Sequence, residues 1–183
     1  MPFRIDEFRA NLALGGARPT LFQVNIFNPV NGVANIKMPF LVRTAELPGS
    51  TLGLIQLPYF GRYTKYAGDR NFPPWVVRVI NDEDFLIRNA LEEWSNNIAG
   101  LQNPIRAVGS QANIYKSQAQ VIQYGKDETP LRQYTFYGIW PADVAPIQLD
   151  WASQDQVEEY NVTFQYDYFL INGGTTGDAG GAI

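Results

Sequence analysis

Apolar and polar residues alternate along several stretches of the chain, which indicates a mainly β protein. The clearest stretch is residues 160–169, YNVTFQYDYF, where every second side chain is apolar or aromatic. A period of two is typical of an antiparallel strand with one buried face. The face predicted to be buried consists of Tyr160, Val162, Phe164, Tyr166 and Tyr168. Other β-rich stretches, separated by turn residues, lie at 21–27, 75–80, 113–124 and 132–140.

Residues 82–99 have a helical period instead. Their apolar side chains recur every three or four residues, and Asn81 or Asp82 can cap the first turn of an amphipathic helix. We expect Leu91 and Trp94 to pack this helix against the sheets. The predicted fold class is therefore mainly β: two packed antiparallel sheets, in a sandwich or partial barrel, with one flanking helix at about 82–99.

The length of 183 residues suits a single domain, which we place at residues 1–171. Residues 172–183 are rich in glycine, and we expect them to form a flexible tail. The chain contains no run of apolar residues long enough to span a membrane. Its first residues carry acids and lack the apolar segment of a secretory signal, so we expect folding in a cytoplasm.

Cysteine and histidine are both absent from the chain. Thiolate nucleophiles, disulfides and the usual zinc and haem sites are therefore excluded, and the commonest general base is missing. The adjacent carboxylates Glu92-Glu93 and Glu158-Glu159 do not face each other on a helix or a strand, so neither pair forms a dyad. We expect no catalytic residue, cofactor or metal ion, and we predict that the protein is not an enzyme.

The net charge of −4 is unevenly distributed. Residues 141–183 contain seven acids and no Lys or Arg, whereas residues 1–140 have a net charge of +3. This pattern fits either a solvated acidic edge or a subunit whose oppositely charged ends stack head to tail. No basic stripe of the kind that grips DNA is visible.

The order of the local motifs is distinctive. They are ARPTLFQVNI (17–26), TAELPGS (44–50), YAGDRNF (66–72), WVVRVINDED (75–84), WSNNIAG (94–100), GIWPADVAPIQLDWAS (138–153) and NVTFQYDYF (161–169). Over roughly residues 17–169 this order resembles the tail-tube proteins of contractile-tailed bacteriophages. The same fold is shared by the tubes of type VI secretion and of phage-like bacteriocins.

The resemblance implies hexameric rings that stack into a rigid tube inside a contractile sheath, each subunit lending strands to one barrel around a channel. It implies a virion protein, assembled in the host bacterial cytoplasm, with sheath, baseplate, tail-terminator and tape-measure proteins as partners. Phage DNA would pass through the channel into the host cell without specific binding. A baseplate or secretion-type tube protein of the same fold is an alternative within this class.

A second hypothesis comes from a different class of protein. A β-sandwich module could bind carbohydrate or another ligand through exposed aromatic residues such as Trp75 and Tyr59. Such a module would remain a monomer, whereas a tube subunit would form rings or polymers.

Residues 47–70 form a long connection that is richer in Leu, Ile and Tyr than a free loop. Exposed apolar residues in an extended segment indicate a partner surface. We expect this connection to reach a neighbouring subunit or ring as an extended arm, with Asp69 and Arg70 fastening its base through bonds within the subunit or across the contact. The residues expected to be buried there are Leu52, Leu54, Ile55 and Leu57, with Tyr59 beside them.

The wall of a DNA channel is expected to be polar and without net positive charge, because each cation facing a phosphate adds affinity. The strands at about 111–124 and 131–138 are the predicted lining, with Gln118, Gln120 and Gln123 as wall residues. Lys116 and Arg132 are then expected to point elsewhere or to pair with acids.

Overall fold

The computed structural model describes residues 4–12, 16–102 and 112–179. Its helices are α1 (Ile5–Asn11), α2 (Ala34–Leu41), α3 (Leu86–Ile98) and α4 (Ala112–Tyr115). Its strands are β1 (Phe22–Ile26), β2 (Val42–Ala45), β3 (Thr51–Tyr59), β4 (Arg62–Asn71), β5 (Trp75–Ile80), β6 (Ser117–Tyr124), β7 (Pro130–Val144), β8 (Glu159–Gln165) and β9 (Tyr168–Ile171). The prediction of a mainly β fold is confirmed.

The long strand β7 connects the two halves of a seven-stranded antiparallel sheet with the order β1-β6-β7-β8-β5-β2. Its first part pairs with β6 and β9, and its second part pairs with β8. We call β1, β6, the first part of β7 and β9 the first half-sheet. The second part of β7, β8, β5 and β2 form the second half-sheet.

The two half-sheets meet at a bend in β7. Gly138 has a φ of +70°, a conformation that side chains disfavour, and a Cβ at this position would meet the Asp167 carboxylate. On the neighbouring chain segment, Asp167 separates β8 from β9 and donates its backbone N–H to Tyr137 O at 3.0 Å. Both strands therefore bend at the same place, and the inner faces of the half-sheets turn toward each other.

The core lies between these inner faces. Trp75 of β5 stacks on Phe136 of β7, with ring centroids 4.4 Å apart, and Phe164 packs against Trp75 with its centroid at 5.7 Å. Val24, Val77 and Val162 have no exposed surface, and Val121 is 1% exposed. The strands alternate as the sequence predicts, because every second residue points into this layer.

Helix α3 covers the core, and Leu91 and Trp94 are fully buried beneath it. The Trp94 indole Nε1–H donates to the Tyr115 carbonyl at 2.8 Å, so its polar atom is satisfied within the buried site. The helix begins at Leu86, four residues later than predicted, and neither Asn81 nor Asp82 caps it. Asp84 accepts the Leu86 backbone N–H instead.

Three further features differ from the sequence-based expectations. Residues 113–115 belong to the short helix α4 and not to the strand that follows it. Tyr168 is 44% exposed, because the irregularity at Asp167 moves it to the opposite face from Tyr160. The start of the tail is held in place, since Thr175 and Thr176 donate backbone N–H groups to Pro130 O and Leu131 O. The last residues of the predicted tail, 180–183, lie outside the described ranges.

The helices within the described residues are all too short or too polar to cross a bilayer.

The stack of Trp75 on Phe136 predicts a large effect of core truncation. We expect Phe136→Ala to lower the free energy of unfolding by about 3–5 kcal/mol, because it removes a fully buried ring and leaves a cavity between the half-sheets. Urea unfolding of the unassembled chain measures this loss. The matched control is Tyr59→Ala, whose ring is 71% exposed and whose loss is expected to cost less than about 0.5 kcal/mol. A loss below about 1 kcal/mol for Phe136→Ala, which is the effect of an average point mutation, would contradict this account of the core.

Candidate functional site

The hairpin formed by β3 and β4 projects from the body of the subunit. We call residues 51–71 the arm. Every residue of β3 is exposed, and so is every residue of β4 except Gly68. An isolated two-stranded hairpin is only marginally stable in water, so an arm of this length indicates a surface that covers it.

Apolar side chains lie on both faces of the arm. Ile55 pairs with Tyr66 on one face, and Leu54 pairs with Ala67 on the other. Leu52, Leu54, Ile55 and Leu57 are between 50% and 58% exposed. A β-strand buried on one side alone has a polar second face. The arm therefore presents two apolar faces, which fits insertion between two surfaces.

The tip of the arm is a tight turn at Phe60 and Gly61, both with positive φ, 43° and 76°. This geometry matches the twist of a two-residue hairpin turn. Phe60 is 91% exposed and contacts the edge of the Tyr59 ring, with centroids 4.7 Å apart. The rings of Tyr59 and Phe60 therefore lie at the end of the arm that is farthest from its base.

The base of the arm is fastened by hydrogen bonds within the subunit. The Arg70 Nη1 donates to Ser50 Oγ at 2.7 Å, across the two strands where they leave the body. The Trp75 indole Nε1–H donates to Glu46 O at 2.8 Å, which ties the chain after the arm to the chain before it. Asp69 has no ion pair or side-chain hydrogen bond with any described residue. The structure therefore joins Arg70 to the base within the subunit. A bond of Asp69 across the contact with a neighbour stays a prediction.

A polar surface covers the outer side of the first half-sheet. Strand pairing places Gln118 opposite Tyr137 and Gln120 opposite both Asn25 and Thr135. None of the residues on this outer face of the four strands is charged. They are Gln23, Asn25, Gln118, Gln120, Ile122, Gln133, Thr135, Tyr137, Tyr168 and Leu170. We call this surface the polar sheet face.

Gln123 lies on the opposite side of the sheet. Strand alternation groups it with the buried Ala119 and Val121, and it pairs with Phe22, which packs against the core. This placement separates it from the other two predicted wall residues. A strand's alternation can be read from its sequence, so the parity of residues 118, 120 and 123 was the signal that distinguished them.

Lys116 and Arg132 are the two cations that were predicted to point away from the channel or to pair with acids. Lys116 Nζ forms an ion pair with Asp167 at 2.6 Å. Arg132 shares the side of Gln123 and Tyr134, and its guanidinium lies over the Tyr134 ring at 5.6 Å from the centroid. Neither side chain adds an unpaired positive charge to this surface.

An acidic loop connects β7 to β8 at residues 145–158. Its ends are held by the body of the subunit: Arg88 Nη1 donates to Ala145 O at 3.3 Å, and Asn81 Nδ2 donates to Glu158 Oε2 at 2.8 Å. Between these anchors, Leu149 is 78% exposed and Trp151 is fully exposed. The sequence motif containing LDW was recognised, but its exposure was not predicted.

The described residues contain no group of His, Cys, Asp and Glu side chains that could hold a metal ion. Burial raises the pKa of the Tyr160 hydroxyl above its ordinary value, which moves its ionisation still farther from physiological pH. Trp75, proposed from the sequence as an exposed ligand-binding aromatic, is 2% exposed and belongs to the core. The ligand-binding hypothesis therefore loses one of its two named residues.

Comparison with known proteins agrees with these features. Residues 17–172 match the phage tail tube protein family. The chain is 34% identical over 154 residues to the tail tube protein gp19 of Enterobacteria phage T4. The aligned residues cover 84% of this chain and 90% of that protein. The gp19 of Enterobacteria phage T6 matches with the same identity and coverage.

A solved structure shows the same fold at low sequence identity. It is a chain from the sheath/tube terminator of an extracellular contractile injection system in its extended state, determined by cryo-EM. The TM-score is 0.65 and the identity 12%, with 88% of this chain and all of that chain covered. Because residues 17–172 match the family and gp19 of phage T4 is 34% identical over 84% of this chain, the chain belongs to the phage tail tube protein family.

Proposed function

We propose that this chain is the structural subunit of the inner tube of a contractile phage tail. Six copies form a ring, and the rings stack into a tube that conducts the genome into the host cell. The role is structural and involves no catalysis. The observation that carries the proposal is the arm, whose two apolar faces are exposed in the single subunit and require neighbouring copies to cover them.

The first half-sheet supports the proposed ring. It consists of four strands, and within the described residues β1 and β9 each leave one edge without a partner. Unpaired edges expose backbone N–H and C=O groups, and closing a sheet into a barrel removes them. Six copies joined edge to edge would line a channel with the polar sheet face.

The partners in the proposed assembly follow from its layers. The sheath lies outside the tube, the baseplate and the tail terminator lie at its ends, and the tape-measure protein occupies the channel before DNA does. The uncharged character of the polar sheet face supports passage of DNA without retention, because retention grows with each cation that meets a phosphate. The protein resides in the virion and assembles in the host bacterial cytoplasm.

The arm provides the main test of assembly. We expect replacement of residues 51–58 by a short Gly-Ser turn to abolish tubes, as seen by electron microscopy, while circular dichroism shows a folded subunit. The body remains folded because the core contains no residue of β3. Tubes of normal length from this variant would contradict the proposal, and an unfolded variant would show that the arm belongs to the subunit's own core.

A finer variant separates the apolar surface of the arm from its backbone. We expect Leu54→Ser with Ile55→Ser, one change on each face, to prevent tube formation because both contacts lose apolar burial. The matched control is Leu101→Ser, since Leu101 is 94% exposed at the end of α3, and its tubes are expected to be normal.

The channel wall provides an independent test. We expect tubes of the Gln120→Arg variant to retain a short fluorescent DNA duplex in a sedimentation assay at low salt, and to release it as salt rises, because a ring of cations then faces the phosphates. Gln102→Arg is the matched control, as it adds the same charge at an exposed position outside the polar sheet face. Equal retention by the two variants would place Gln120 outside the channel.

A further inference from the structure

The acidic loop at residues 145–158 has the composition of a docking surface. It contains Asp150, Asp155 and Glu158 and no Lys or Arg. Trp151 has the full exposure of a free side chain, and Leu149 and Val157 are 78% and 67% exposed. Large apolar side chains rimmed by charges of one sign are typical of interaction sites, and Trp is the residue type most enriched among binding hot spots.

The loop has a defined conformation despite this exposure. Asp150 Oδ1 accepts the Ala152 backbone N–H at 3.0 Å, and Asp150 O accepts the Ser153 N–H at 3.2 Å. These bonds form a turn that holds Trp151 outward. Together with the anchors at Ala145 and Glu158, they present the aromatic ring on a fixed support, which lowers the entropy cost of binding.

The arm has the complementary composition. Residues 51–68 contain Arg62 and Lys65 and no acid, so this part of the arm carries a charge of +2 against −3 on the acidic loop. Its exposed side chains include the aromatic rings of Tyr59 and Phe60. The exposed Trp151 and Leu149 of the loop are likewise aromatic and aliphatic. Opposite charges around apolar centres favour association and fix its orientation.

The arm and the acidic loop lie at opposite ends of the same pair of strands. Trp75, the first residue of β5 after the arm, pairs with Phe164 near the end of β8. At the other end of this pair, Ile80 pairs with Glu159, the residue directly after the loop. Six paired residues span about 17 Å, and the arm extends about 30 Å farther from its base. In the single subunit the strands of the arm are exposed and pair only with each other, so the arm is free to meet the loop of another copy.

We propose that the arm of one copy docks on the acidic loop of a second copy, head to tail. The contact rests on the proposed function, since it assigns the surface that receives the arm in a polymer of this chain. Because the two surfaces differ, the contact is heterologous, and when it joins one ring to the next it repeats along the tube axis without closing on itself. One apolar face of the arm covers Trp151 and Leu149, and Arg62 and Lys65 approach the carboxylates.

Disulfide crosslinking tests this contact directly, because the chain contains no cysteine of its own. Gln56→Cys and Thr64→Cys probe the two faces of the arm, and each is combined with Ala152→Cys beside Trp151. All three positions are exposed, and the aromatic and Leu side chains proposed to make the contact remain in place. The purified tubes are oxidised and analysed by denaturing electrophoresis without reductant.

We expect a covalent ladder extending beyond the dimer from at least one double variant, because each copy carries one arm and one loop. The single variants can form dimers only. The matched control combines the same arm cysteine with Leu101→Cys, and it is expected to give no ladder. Leu101 is exposed and follows the end of α3, whereas Arg88, which bonds the loop at Ala145, lies near its start. A ladder from the control pair and none from the Ala152 pairs would overturn the proposal.

The crosslinking result also separates the two levels of inference. If microscopy shows intact tubes and neither Ala152 pair crosslinks, the arm–loop contact is wrong and the proposed function stands. If the unmodified protein forms no ring or tube at any concentration tested, the proposed function fails and the contact fails with it.

Neutralising substitutions test the charge complementarity without disturbing the loop. Asn keeps the turn bond to Ala152 and tolerates the positive φ of Asp155, 59°, so Asp150→Asn with Asp155→Asn removes only charge. We expect this pair, and likewise Arg62→Gln with Lys65→Gln, to raise the critical concentration for tube assembly about tenfold at low ionic strength. The control Glu83→Gln is expected to change it by less than about twofold.

Combining the four changes completes a double-mutant cycle. We expect a critical concentration close to that of either pair alone, because both pairs remove the same interaction. A rise equal to the product of the two separate effects would show that arm and loop contact different partners. An unchanged critical concentration after neutralising the loop would assign it to a protein other than this chain. Either result overturns the proposal.

Discussion

Trp75 joins the two half-sheets to each other and to the base of the arm. Its ring stacks on Phe136 of the first half-sheet, and its indole N–H donates to Glu46 O just before the arm begins. The core and the projection therefore depend on one side chain. A rigid base matters because an arm about 30 Å long converts a small rotation at its root into a large displacement at its tip. The Arg70–Ser50 hydrogen bond restrains the same root from the other strand.

Much of the fold could be predicted because strands such as β5 and β8 alternate between core and surface. The period of two in residues 160–166 identified the buried face, and the period of the helix identified Leu91 and Trp94. Tyr168 was predicted to be buried but is exposed. The period of a single strand carries no information about the bend that causes this difference. The neighbouring strand bends at Gly138, and the Asp167 irregularity opposite it reverses the face of the residues that follow. Tertiary pairing, not local propensity, decides that position.

The candidate surfaces were predictable to different degrees. Apolar residues in a segment rich in Gly and Pro identified the arm, and the structure shows them exposed on both faces, while their burial by a neighbour stays a prediction. The resemblance to tail-tube proteins, carried by the order of the motifs, is confirmed. Gln118 and Gln120 share one face, but Gln123 differs in strand parity. Arg70 is bonded to Ser50 at the base of the arm, whereas a bond of Asp69 across a contact with a neighbouring copy stays a prediction.

The placement of the arm and the acidic loop at opposite ends of β5 and β8 has a consequence for a filament built by the proposed arm–loop contact. Such a filament has chemical polarity: one terminus exposes cationic, aromatic arms, and the other exposes anionic loops carrying Trp151. A factor that starts growth and a factor that stops it then face different chemistry, so one protein cannot serve both termini with the same surface. The direction of elongation is thereby encoded in the monomer, before any second component binds.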